Sequence, residues 1–242
     1  MAAIRASLFN LFYFCWTALI VVAGLPTALF GYRAVYALGR CWARVTFAAL
    51  KLIVGLDHRW IGAPPATGPV IYAIKHQSTW DTMAFSALPD RPAYVLKREL
   101  TWIPCFGWLL AAAGFIAVDR KAGAAALRRL VRDAERTVAG GRSLLIFPEG
   151  TRTAPGEHRP YQPGIAALYD RLKLPVVPVA LNSGLFWGRR SFVKRPGRIT
   201  VEFLPAIEPG LPRREFMAEL ERRIEGAARR LAGVTETGAA RR

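Results

Sequence analysis

The chain has 242 residues, enough for one sizeable α/β domain and an added element. Its net charge of +17 and mean hydropathy of +0.20 point to an anionic partner and to more apolar surface than a soluble globule carries. The three cysteines, Cys15, Cys41 and Cys105, form no C-x-x-C pair and lie among apolar neighbours, so they argue against a zinc site and read as reduced, buried, small hydrophobes of a cytoplasmic domain.

Ala6 to Tyr32 carries no charged residue, and Gly24 and Pro26 limit its clean helical part to Ala6–Ala23. At about 1.5 Å per residue this run is long enough to enter or cross roughly 30 Å of hydrocarbon. A cleaved signal peptide also fits Arg5 and an apolar core, but Gly31 to Leu56 reads as a second membrane-type helix. On that helix Arg33, Arg40, Arg44 and Lys51 fall within roughly 20° of one line, a cationic stripe on an apolar helix suited to anionic headgroups. Positive charge after the first helix places these arginines on the cytoplasmic side of the inner membrane. One span and a re-entrant hairpin turning at Gly24, Pro26 and Gly31 both remain open. The expected division is a membrane-associated two-helix element over 1–56, a catalytic domain over 57–234 and a disordered tail over 235–242.

After Pro64-Pro65 the pattern alternates. Strand-like runs are Val70–Lys75, Ala93–Leu96, Phe115–Val118, Ser143–Phe147, Val176–Leu181 and Ile199–Phe203. Helical apolar faces occupy Ala122–Ala139 and Arg213–Leu231. The expected fold class is therefore α/β, a mostly parallel sheet covered by helices, with sites at the carboxyl ends of strands. Trp102 to Leu110 is apolar enough to line an apolar tunnel, to touch lipid or to be an ordinary core helix.

His76 and Asp81 follow the first of these strands in Lys75-His76-Gln77-Ser78-Thr79-Trp80-Asp81. On one continuous helix, five residues set two side chains roughly 140° apart, so contact requires a break between them. The break is available if His76 ends the strand, Ser78 caps a helix and Asp81 is its third residue. Asp81 then either completes a capping box with Ser78 or orients His76 as a base able to take a proton from an alcohol near pH 7, or both. Other strand exits carry Lys97-Arg98, Asp119-Arg120-Lys121 and Phe147-Pro148-Glu149-Gly150-Thr151-Arg152. There Gly150 permits a tight backbone, Thr151 supplies a hydroxyl and Arg152 can fork onto a phosphate. Together these residues suggest a phosphate pocket beside a base. A polar turn and solvated charges are the plainer reading of each alone.

In this order the segments resemble the 1-acyl-sn-glycerol-3-phosphate (lysophosphatidate) acyltransferase family. His76 and Asp81 match its H-x-x-x-x-D motif, and Phe147 to Arg152 match F-P-E-G-T-R without departure. Val118-Asp119-Arg120 and Val177-Pro178-Val179 match two further segments. The resemblance covers roughly Val70 to Gly184. It implies that His76, oriented by Asp81, deprotonates the sn-2 hydroxyl of lysophosphatidate. That hydroxyl attacks an acyl thioester, acyl-CoA or acyl-carrier protein, directly and gives phosphatidic acid. It further implies that Lys97 and Arg152 hold the acceptor phosphate with Arg120 nearby, while Glu149, Gly150 and Thr151 shape the pocket. No cofactor and no metal are expected. The absence of G-x-S-x-G and of a nearby Cys105-His pair agrees with direct transfer.

Two other readings remain. A different lysolipid acceptor, such as a lyso-aminolipid, keeps the fold and loses the phosphomonoester. A nucleic-acid-binding protein explains +17 but not the apolar N-terminus, and no zinc-finger spacing or RNA-binding sheet pattern is present, so no nucleic-acid partner is expected. Neither G-x-G-x-x-G nor G-x-x-x-x-G-K-[ST] occurs, which removes dinucleotide and P-loop chemistry.

Overall fold

The computed structural model describes residues 2–64 and 68–233; the expected tail, 235–242, lies outside the described residues. Two helices open the chain, α1 (Ala2–Ala23) and α2 (Tyr32–Ala49). A 3₁₀ turn over Leu25–Phe30 joins them, and a π-helical turn, Leu50–Val54, extends α2. The domain continues through β1 (Leu56–Ile61), β2 (Ile71–Ile74), α3 (Thr79–Ala84), β3 (Ala93–Lys97), α4 (Phe106–Ala112), β4 (Ile116–Val118) and α5 (Gly123–Ala139). It ends with β5 (Leu144–Ile146), α6 (Pro163–Leu172), β6 (Val176–Leu181), β7 (Gly197–Phe203) and α7 (Arg213–Leu231).

Among the described residues seven strands form one sheet in the order β1-β7-β6-β2-β5-β3-β4. Every pairing is parallel except β6 with β7, so β1 and β7 run against the other five. The expected α/β sheet is therefore present. The carboxyl ends of β2, β3, β4, β5 and β6 all reach the same edge. β2 sits between β5 and β6, so what leaves β2 emerges between the loops of its two neighbours.

The pleat sorts side chains by alternate residue. On one face Tyr72, Ile74, Leu145, Val177, Val179 and Leu181 join a core with Trp80, Tyr36 and Phe9. On the other, Ile71, Ala73, Leu144, Ile146 and Val176 meet Leu130 and Ala134 of α5, Ile165 and Leu168 of α6, and Phe216, Leu220 and Ile224 of α7. Phe216 stacks on Tyr169 with ring centroids 3.8 Å apart. Burying each such large side chain contributes roughly 1.5–3 kcal/mol.

The two N-terminal helices pack as a hairpin. Trp16 Nε1–H donates to the Trp42 carbonyl (3.3 Å) and Trp42 Nε1–H to Thr17 Oγ1 (3.0 Å). A Cβ at Gly24 would sit 2.5 Å from the Ile20 carbonyl oxygen, which cannot yield, as well as 2.2 Å from a Leu38 methyl, so the turn needs a glycine. The hairpin also shares the domain core. Phe9 meets Trp187 edge-on, Asn10 Nδ2 donates to the Phe192 carbonyl (3.1 Å), and Tyr36 donates to the Pro92 carbonyl. At the other end of α1, Ile20 and Val21 face Phe106, Leu109 and Leu110 across a cavity of about 110 Å³. Both ends of α1 thus touch the domain, and the helix lies along it rather than projecting from it. Its outer face leaves Ile4, Leu8, Leu11, Phe14, Leu19 and Val22 exposed.

The cysteine reading requires correction. Cys15 and Cys41 are exposed and Cys105 is half-buried. The first two fall on hairpin faces that turn away from the domain, so apolar neighbours in sequence do not imply burial. The Trp102–Leu110 run divides: Leu109 is buried against the hairpin, while Trp102 and Trp108 remain exposed.

Candidate active site

The chain leaves β2 with one further ladder bond, from Lys75 N–H to the Val179 carbonyl (2.9 Å), and then turns into α3. Ser78 is the N-cap of α3, with Asp81 at the third position, and the reciprocal capping box is formed. Asp81 is fully buried and accepts four hydrogen bonds. Oδ2 takes them from Gln77 N–H (2.7 Å), Ser78 N–H (2.8 Å) and His76 Nδ1 (3.0 Å), and Oδ1 from Ser183 Oγ (2.6 Å). One carboxylate makes both sets of contacts: it completes the capping box and it bonds the His76 ring. A carboxylate only accepts, so the proton on that imidazole nitrogen belongs to Nδ1. Nε2 then carries the lone pair that a base requires.

The β5 exit closes over His76. Phe147 stacks on the imidazole with centroids 4.0 Å apart. Glu149 Oε1 accepts from His76 N–H (3.3 Å), while Thr153 donates to the His76 carbonyl from both N–H (2.8 Å) and Oγ1 (3.2 Å). His76 is thus held through its main chain on both sides and its ring on two. Burial pushes the Glu149 carboxyl up to about 7, against the lowering effect of Lys75. Gly150 adopts φ +69°, and a Cβ there would lie 3.1 Å from Gln162 Cγ and 3.7 Å from the Arg120 guanidinium carbon. The loop therefore brings Arg120 from the β4 exit alongside it.

Arg152 is half-buried. Partial burial lowers its pKa, and the nearby Asp81 charge opposes that shift. Among the described residues neither Arg120, beside Gly150, nor Arg152, near Asp81, forms an ion pair, so both guanidinium groups are free to bind an anion. Thr151 is half-buried and makes no side-chain hydrogen bond among the described residues. Lys97 is exposed and pairs with Glu99 (2.9 Å), outside the contacts that join His76, Asp81, Glu149, Gly150 and Arg120. Asp119 ties two strand exits together by pairing with Arg98 (2.8 Å). Among the described residues no group of three or more His, Cys, Asp or Glu is arranged to hold a metal ion.

Several site residues escape the sequence reading. Ser183, the second residue after β6, supplies the fourth bond to Asp81 from 102 residues away. Gly184 N–H donates to Gln77 Oε1 (3.0 Å), fixing the residue next to the base. Thr153 lies one residue beyond the recognised motif. Behind the site Lys75 Nζ donates to both oxygens of Glu225 in α7 (2.6 and 2.9 Å), and no local pattern announces that contact.

The Acyltransferase family model matches residues 61–182, the stretch that runs from β1 through the β6 exit. A 1-acyl-sn-glycerol-3-phosphate acyltransferase of Pseudomonas aeruginosa is 35% identical over 185 residues, covering 76% of this chain and 72% of that protein. A protein of the same name from Cocos nucifera is 31% identical over 172 residues, covering 70% of this chain and 56% of its own length. The crystal structure of the 1-acyl-sn-glycerophosphate acyltransferase of Thermotoga maritima superposes with a TM-score of 0.79 over 96% of this chain and 98% of that one. At 18% identity that likeness is one of fold. With the family model and the bacterial relative in agreement, the chain belongs to the 1-acyl-sn-glycerol-3-phosphate acyltransferase family.

Proposed function

We propose that the protein transfers an acyl chain from a thioester to the sn-2 hydroxyl of lysophosphatidate, forming phosphatidic acid. The observation that carries this reading is the His76 Nδ1 to Asp81 contact, which leaves Nε2 to act as a base. Nε2 takes the hydroxyl proton as the oxygen attacks the thioester carbonyl. The new C–O bond forms, the C–S bond breaks, and the imidazolium returns its proton to the departing thiolate. Asp81 stabilises the transient imidazolium, and no acyl-enzyme or cofactor is required. Arg152 and Arg120 receive the acceptor phosphate, and Lys97 contributes long-range attraction from the rim. Gly150 and Thr151 shape the loop between them. The +17 charge suits either anionic donor, acyl-CoA or acyl-carrier protein.

The N-terminal hairpin supports action at a membrane surface. α1 is apolar and, at 22 residues, long enough to cross a bilayer. Its contacts with the domain at both ends favour a monotopic hairpin lying in one leaflet over a span. In that arrangement the catalytic domain sits on the cytoplasmic side of the inner membrane, with Arg33, Arg44 and Lys51 exposed toward headgroups. The cavity beneath α1 and α4 offers an apolar wall to one end of an acyl chain.

The test is an assay of purified protein that crosses lysophosphatidate, glycerol-3-phosphate and a lyso-aminolipid with acyl-CoA and acyl-carrier protein. Phosphatidate, identified by mass, should appear only with lysophosphatidate. It should disappear in His76→Ala while membrane association persists. Full activity of that variant would refute the base assignment, and preferential use of the lyso-aminolipid would refute the acceptor.

A further inference from the structure

Lys75 and His76 are adjacent, yet the pleat sends them to opposite faces. His76 follows Tyr72 and Ile74 toward the hairpin, and Lys75 follows Ile71 and Ala73 toward α7. The Lys75 side chain is almost wholly buried, at 2% exposure. Its ammonium lies between two buried carboxylates, Glu225 (2.6 and 2.9 Å) and Glu149 Oε1 (3.2 Å). Tyr161, in the loop before α6, donates to Glu225 Oε1 (3.0 Å). Glu149 Oε1 is the atom that accepts the His76 N–H, whereas Glu149 Oε2 is buried without a partner among the described residues. Two carboxylates face one ammonium, and one of the two holds the main chain of the base.

On the reading of His76 as base, we propose that Lys75, fixed by Glu225 and Tyr161, is a positioning residue for catalysis. It keeps Glu149 ionised and aimed so that the carboxylate grips the His76 amide, and it ties the last helix of the domain to the reacting centre. A buried charge trio of this kind is a poor source of stability, because desolvation offsets the attraction. It does fix a geometry, since Glu149 Oε1 receives both the Lys75 ammonium and the His76 amide while Glu225 Oε1 receives both Lys75 and Tyr161. Glu149 sits near neutrality because burial raises it and Lys75 lowers it. The charged and titratable groups around it are Lys75 and His76 from the β2 exit, Tyr161 from the loop before α6, and Glu225 from α7.

The sign of each perturbation follows. Removing the ammonium makes Glu149 harder to ionise, so the acid limb of kcat moves to higher pH. Removing the Glu225 charge by Glu225→Gln leaves Lys75 wholly to Glu149, so the limb moves to lower pH. For charges about 5 Å apart at an effective dielectric near 20, each displacement is about two pH units. A loss of packing alone would lower kcat without moving the limb in opposite directions.

The experiment measures kcat and KM for both substrates against pH, with melting temperature, in the full-length wild type, Glu225→Gln, Lys75→Met and the charge-free pair Lys75→Met/Glu225→Leu. The double variant keeps the test open if Lys75→Met alone fails to fold, because it buries no unpaired Glu225. Its limb should also move upward, since Glu149 loses the nearer charge. His76→Ala is run alongside. Opposite displacements with KM unchanged support the proposal. Unmoved limbs, or displacements of one sign in Glu225→Gln and the lysine-free variants, overturn it while an inactive His76→Ala keeps the base assignment. An active His76→Ala overturns that assignment instead.

Discussion

Asp81 caps a helix and bonds the His76 ring at once, and on the proposed mechanism Asp81→Asn separates the two tasks. The amide keeps an oxygen for the Gln77 and Ser78 N–H groups and turns its NH₂ toward Ser183 Oγ, which can accept. The cap therefore survives, and the stability change should stay within about 1 kcal/mol. What disappears is the negative charge beside Nδ1. With a 3.0 Å contact the charge centres lie roughly 4 Å apart, worth about 4 kcal/mol to an imidazolium at an effective dielectric near 20. That predicts a kcat loss of about 10²–10³-fold with little change in KM. Purified variant and wild type would be compared by thiol release from the acyl donor and by thermal melting. An Asp81→Asn enzyme with activity within about tenfold of wild type, and an unchanged melt, would show that the carboxylate only caps α3. Activity falling strictly in step with melting would lead to the same conclusion.

Arg152→Gln should raise KM for lysophosphatidate about 10- to 100-fold, because a charged hydrogen bond contributes about 1.5–3 kcal/mol. The donor KM should stay unchanged in the same titrations, and an equal rise in both would remove Arg152 from the acceptor site. Glu149 has its folded pKa raised from 4.5 to about 7, so its contribution to stability is present below about pH 4.5 and lost as pH rises to about 7. The loss is about 3 kcal/mol. Glu149→Gln should therefore show a flatter melting temperature between pH 5 and 7 than wild type, and parallel curves would contradict it. Leu11→Glu with Phe14→Glu charges the outer face of α1, where both residues are more than 60% exposed. The double variant should leave sedimenting lipid vesicles while keeping its melting temperature, and undiminished binding would place the membrane contact elsewhere.

Much of the fold was legible because apolar alternation and strand length coincide. Val176–Leu181 and Arg213–Leu231 match the sequence reading residue for residue. β1 was missed because Asp57, His58 and Arg59 interrupt any apolar run, and its stability comes from pairing with β7. α6 was missed because ten residues after a proline give little period to read. At the site, the capping box and its partner histidine could be inferred from spacing, since both lie within six residues. Ser183 and Glu225 could not, since they reach Asp81 and Lys75 across 102 and 150 residues. Lys97 leaves the same edge of the sheet and pairs there with Glu99, two residues on.

The alternation that separates Lys75 from His76 also sets which genetic changes the segment tolerates. Substitutions within Val70–Ile74 that keep volume would leave both addresses intact. A single-residue deletion there would deliver the ammonium to the hairpin face and the imidazole to α7, exchanging the two without altering either side chain. The strand before the base is therefore a counting device, permissive in composition and intolerant of any change in length.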